Sequence, residues 1–153
     1  MNEDTPSTSP HSAGDVREHV GYRLKQAHAA LRGAMDQALR DHGLTVPQYA
    51  CLEILAVQPG MSNAELARAT FVTRQSMNVV LRGLQESGLL TRPDTAETGR
   101  ARPAKLTGEG ARRLRSAQAD VYAIEARMVR DLSADRRTAI LEDLDRMTRG
   151  LKD

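Results

Sequence analysis

Arg74, Gln75, Ser76, Asn78 and Arg82 lie close together in TFVTRQSMNVVLRGL, residues 70–84. At about 100° per residue on a helix, Gln75, Asn78, Val79 and Arg82 fall in one arc, and Met77, Val80, Leu81 and Leu84 fall opposite. Arg74 and Ser76 flank the outer stripe near the helix start. Gln and Asn side chains make paired hydrogen bonds to adenine edges, Arg to guanine, and an aliphatic group meets a thymine methyl. A solvated helix face would explain Gln75, Asn78 and Arg82 equally well. Val79 is the discriminating residue, because an apolar side chain in the outer arc fits a groove better than water.

The second group with chemistry to offer is basic. Between Thr73 and Arg115 there are nine Lys and Arg against four acids, a net +5 in a chain of net +2, which leaves −3 for the rest. Arg92, Arg100, Arg102 and Lys105 sit in a turn-rich segment, LLTRPDTAETGRARPAKLT (89–107), that reads as two short strands around a polar tip. Arginines on such a tip suit phosphates or a minor groove, adding affinity and register. A basic middle segment in a nearly neutral chain is the footprint of a polyanion binder.

Other chemistries find no residues. There is no nucleophile elbow, glycine-rich phosphate loop or paired-acid constellation, so an enzyme is not expected. His11, His19, His28 and His42 lack metal-ligand spacing, and no cofactor is called for. Cys51 is the single cysteine and stands on an apolar helix, YACLEIL, where a thiol serves as a small hydrophobe. Residues 1–14, rich in Pro, Ser and Thr, read as a disordered tail, not a secretion signal. No apolar run approaches the roughly 18 residues that a membrane span needs, so the expectation is a soluble, cytoplasmic protein without a membrane partner.

The elements that must position the stripe follow from periodicity and caps. Apolar residues at helical spacing run from Asp15 to Asp41, where Gly43 ends the helix. Thr45, Pro47 and Gln48 form a capping box opening a second helix that stops at Pro59 and Gly60. Ser62 and Glu65 form another, opening a short helix through Ala69; Thr73 is the expected N-cap of the stripe helix, which Gly88 terminates. After the hairpin, helical spacing resumes from Glu109, and Ser133 starts a last helix. A short helix, a tight connection, a second helix and a hairpin make a winged helix-turn-helix, whose second helix can enter the major groove.

GLTVPQYACLEIL (43–55), SNAELARATFVTRQSMNVVLRGLQESGLLTR (62–92) and LTGEG (106–110) resemble the MarR family of multiple antibiotic resistance regulators, with matching element order over 15–150. The resemblance implies an obligate homodimer whose terminal helices interlock and whose two heads read a pseudo-palindrome. It places Arg74, Gln75, Ser76 and Asn78 where relatives contact bases, and Arg100 on the wing arginine. Many members carry an acid two residues before that arginine; here the position is Thr98. The family also implies release of DNA by a small aromatic or phenolic anion between the dimerisation helices and the head. Tyr22, Lys25, Gln26, Tyr49 and Tyr122 are the candidates for that pocket. Peroxide-sensing relatives use a cysteine near the start of the first helix, which is absent here; Cys51 is the thiol an alternative redox reading would need.

The expectation is therefore a mainly α protein: a winged helix-turn-helix over about 43–107 with a two-stranded wing, and dimerisation helices over about 15–41 and 108–150 within a single domain of 15–153. Apolar stripes on the terminal helices exceed what a head of about 65 residues can cover, which points to a partner chain. The expected function is a homodimeric regulator of transcription, a repressor binding double-stranded DNA through Thr73, Arg74, Gln75, Ser76, Asn78, Val79, Arg82, Arg100 and Arg102. The alternatives are a nonspecific architectural DNA binder without an effector, and a helical protein-interaction module.

Overall fold

The computed structural model describes residues 14–92 and 103–152. A 3-10 turn (Val16–Glu18) precedes α1 (Val20–Arg40), followed by α2 (Val46–Val57), α3 (Asn63–Ala69), α4 (Arg74–Glu86), β1 (Leu90–Thr91), β2 (Lys105–Leu106), α5 (Gly108–Met128) and α6 (Ala134–Gly150). The strands pair antiparallel, Leu90 with Leu106 and Thr91 with Lys105. This is the mainly α architecture with a two-stranded wing that the periodicity predicts.

The caps operate as the residue types require. The Gln48 N–H donates to Thr45 Oγ1 at 3.3 Å while Gln48 Oε1 accepts from the Thr45 N–H at 3.0 Å. Ser62 and Glu65 repeat the exchange at 3.2 and 2.7 Å. Each box satisfies two backbone donors that a helix start leaves unpaired. The backbone N–H of Ser62 also holds the Glu65 carboxyl below its usual range.

Two boundaries differ from expectation. The first helix begins at Val20, five residues after Asp15, because the Asp15 carboxylate accepts from the Arg17 N–H at 3.0 Å and closes a separate 3-10 turn; His19 is then extended, with ψ 135°. The wing strands are two residues each, shorter than the runs LLTR (89–92) and PAKLT (103–107) that begin and end the segment read as a hairpin. Thr107 leaves the ladder to cap α5: its hydroxyl accepts from the Gly110 N–H at 3.0 Å and donates to the Gly88 carbonyl at 2.7 Å. Its own N–H donates to the Leu89 carbonyl at 3.1 Å. Gly110 is obligatory here, since a Cβ at that position would lie 2.0 Å from the Leu89 oxygen. The expected tail, apart from Gly14, and most of the wing tip lie outside the described residues.

The core sits under the helix-turn-helix. Leu52 and Leu55 of α2, Leu66 of α3, Met77, Leu81 and Leu84 of α4, Leu89, and Leu114 and Ala117 of α5 close on one another, joined by Leu39 from the end of α1. Burying each large aliphatic side chain contributes roughly 1.5–3 kcal/mol, so this cluster fixes α4 against the head. The turn after α1 is tied to α5 by His42 Nε2 and Asp120 Oδ2, 2.6 Å apart. Outside the head the picture reverses. α6 has no buried residue, and Val20, Leu24, Tyr122, Met128 and Leu141 are exposed on α1, α5 and α6. Among the described residues, no helix is long and apolar enough to cross a membrane.

Candidate nucleic-acid interface

Thr73 sets the start of α4. Its Oγ1 accepts from the Ser76 N–H at 3.0 Å and donates to Ser76 Oγ at 2.9 Å. Thr73 Oγ1 and Ser76 Oγ thus share a hydrogen bond within the cap at the exposed start of the helix. From that start the inner positions Met77, Leu81 and Leu84 are fully buried, with Val80 packed against the same cluster. The opposite positions Arg74, Gln75, Asn78, Val79 and Arg82 are all exposed, as is Ser76. Val79, an aliphatic residue, is 64% exposed in the middle of that polar stripe. Neither Arg74 nor Arg82 has an acidic partner among the described residues.

The stripe includes a contact that residue spacing did not reveal. Asn63, the first residue of α3, donates through Nδ2 to Asn78 Oδ1. No local pattern announces a pair fifteen residues apart. The α3–α4 turn also holds Phe71 in a left-handed conformation, φ 59°, with its ring 95% exposed. On the wing, Lys105 is exposed and Arg92 half-buried, while Arg100 and Arg102 lie outside the described residues.

The residues expected around an effector are dispersed. Tyr22, Lys25 and Gln26 are exposed along α1, and Gln26 Oε1 accepts from Arg23 at 3.2 Å. Tyr49 is 1% exposed in the core and donates its hydroxyl to Glu53 at 3.3 Å; burial, and then the Glu53 charge, push its ionisation well above the usual tyrosine range. Tyr122 stands instead in a cleft with α6, alongside Ile140, Leu141 and Leu144. Between α1 and α5 a cleft of about 290 Å³ is lined by Ala27, Ala30, Leu31, Ala34, Ile124 and Met128, with Arg127 as its cation. Sequence reasoning passed over Arg127; its signal was an arginine next to Met128 on the apolar side of α5.

Cys51 is fully buried, and burial pushes its thiol up to about 12, with Arg92 a weaker opposing influence. A redox sensor needs an accessible thiolate. The environment of Cys51 supplies the reverse, so the redox alternative loses its physical basis.

A capped helix with a buried inner face, an exposed polar stripe and an adjacent antiparallel wing define a winged helix-turn-helix protein. A family model described as MarR family matches residues 42–101. The chain is 40% identical over 128 residues to the HTH-type transcriptional repressor Rv2887 of Mycobacterium tuberculosis, an alignment covering 84% of this chain and 92% of the relative. A crystal structure of the Mycobacterium tuberculosis MarR family protein Rv2887 in complex with DNA superposes with TM-score 0.69 at 38% identity, covering 84% of this chain and 97% of that one. The same protein in complex with salicylic acid gives TM-score 0.69 at 39% identity, covering 88% and 98%. The chain belongs to the MarR family.

Proposed function

We propose that the protein is a homodimeric transcriptional repressor that binds a pseudo-palindromic operator in double-stranded DNA and is released by a small aromatic carboxylate. The observation that carries the reading is the outer face of α4: polar base-reading side chains and an exposed Val79 on a helix whose other face is locked in the core. Arg74, Gln75, Ser76, Asn78, Val79 and Arg82 enter the major groove. Thr73 fixes the helix start, and Arg100 and Arg102 reach the backbone or minor groove from the wing. The head spans about residues 43–107, and the terminal helices, about 15–41 and 108–150, make the dimer. Their exposed apolar faces support this, because α6 has no fully buried residue within its own chain and its Leu141 stays exposed.

For the effector, the support is the mycobacterial relative crystallised with salicylic acid, together with the apolar α1–α5 cleft that carries Arg127. An aromatic ring against aliphatic walls with a guanidinium for its carboxylate is a sensible pairing. Release follows if the ligand prefers a dimer geometry in which the two α4 helices no longer match successive major grooves. The family and its curated relatives are regulators of transcription, and catalysis is no part of the proposal.

Selection of bound duplexes from a random pool tests the reading. It predicts a recovered palindrome with half-sites about 10 bp apart or a multiple of that spacing, and lower recovery when salicylate is present. A pool left without sequence bias would favour the architectural alternative.

A further inference from the structure

Asn78 is not a free reader. Its Oδ1 accepts from Asn63 Nδ2 across the helix-turn-helix, and Asn63 is partly buried at the start of α3, directly after the Ser62 cap. The Oδ1 of Asn63 is itself buried without a hydrogen-bond partner among the described residues. A buried unpaired carbonyl destabilises a fold, and an apolar side chain at the same place would avoid it. The unpaired Oδ1 offsets what the hydrogen bond from Asn63 Nδ2 to Asn78 contributes to stability, so stability alone gives little reason for asparagine at position 63.

Orientation does. An asparagine amide has an acceptor end and a donor end, and on an exposed helix face the two exchange by rotation about the last side-chain bond. A donor seated on Oδ1 stops that exchange, holding the acceptor toward α3 and leaving the NH₂ to face outward. We propose that Asn63 is a specificity-determining positioning residue, which presents the Asn78 NH₂ to the major groove so that Asn78 reads the adjacent O6 and N7 acceptors of guanine. Residue type alone predicts adenine, which needs the acceptor and donor ends of the amide together on the base edge. The inference rests on the reading of α4 as the groove-facing helix.

The test uses the full chain, as wild type, Asn63→Ala and Asn63→Asp, against the selected operator and duplexes changed at each base pair, by fluorescence anisotropy at one salt concentration. Asp suits the first turn of a helix, so N63D keeps α3 intact, and thermal melts verify both variants. Wild type should favour guanine over adenine by about tenfold at one symmetry-related position of each half-site. N63A should lose most of that preference there and nowhere else. N63D offers only acceptors at position 63, so it should hold the Asn78 NH₂ inward, turn Oδ1 outward and shift preference to a base presenting a donor, cytosine N4 or adenine N6. Unchanged base preferences in both variants, or a loss equal on all sequences, would overturn the inference. Wild type that binds every duplex alike would fail differently, by removing the operator reading on which the inference rests.

Discussion

Replacing Phe71 with glycine should make the protein more stable even though it deletes an aromatic ring. Phe71 holds φ at 59°, a conformation that costs an L-residue about 1–2 kcal/mol through contact between Cβ and its own backbone. Its ring is 95% exposed, so almost no packing is lost on removal. Against the relief stands the greater freedom of glycine in the unfolded chain, about 0.5–1 kcal/mol. The balance favours Phe71→Gly by about 0–1.5 kcal/mol, about 0.75 at the midpoints, a rise of up to about 6 °C in Tm for a chain of this size. Phe71→Ala is the control: it removes the ring and retains the strained φ, and its Tm should stay within about 2 °C of wild type. Both are read by thermal melting followed by circular dichroism at matched protein concentration. A lower Tm for the glycine variant, or equal gains for glycine and alanine, would refute the strain argument.

Gly110→Ala should act in the opposite direction. Its Cβ would meet the Leu89 oxygen at 2.0 Å, and backbone must move to accept it, so urea unfolding should show a loss of about 1–3 kcal/mol or more. Gln75→Ala should weaken the selected operator by about 1–3 kcal/mol and relax preference at one base pair, whereas Arg102→Ala should weaken all sequences alike and lower the salt slope; competition binding separates the two. The Cys51 thiol, raised to about 12 when folded against a reference of 9.0, retains its proton in the native state after the unfolded chain has lost it. Stability is consequently lost as pH rises from about 9 toward 12, seen as a falling Tm across that window, and at neutral pH Cys51 should resist alkylation until the protein unfolds.

What was legible in the sequence was local. The boxes Thr45 to Gln48 and Ser62 to Glu65 and the cap at Thr73 depend on side chains within three residues of the backbone groups they satisfy, and all three form. The division of α4 was equally legible, because a helical period fixes which residues share a face. Contacts between distant segments were not. Nothing near Gly110 in the chain announces the Leu89 carbonyl, and nothing near Asn78 announces Asn63. Tyr49 shows what residue type leaves open: one turn along the helix Glu53 accepts its hydroxyl, and the ring packs in the core. The end of the second strand is not legible locally because Thr107 has two possible uses, ladder or cap, and only the packed fold chooses the cap.

The central claim is that the outer face of α4 reads a specific sequence as part of a dimer. The most direct measurement is the ratio of affinities for the selected operator and a scrambled duplex of equal length, taken at one salt concentration near physiological. The account predicts a ratio of about 10³ or more. Equal affinity for the two duplexes would contradict it.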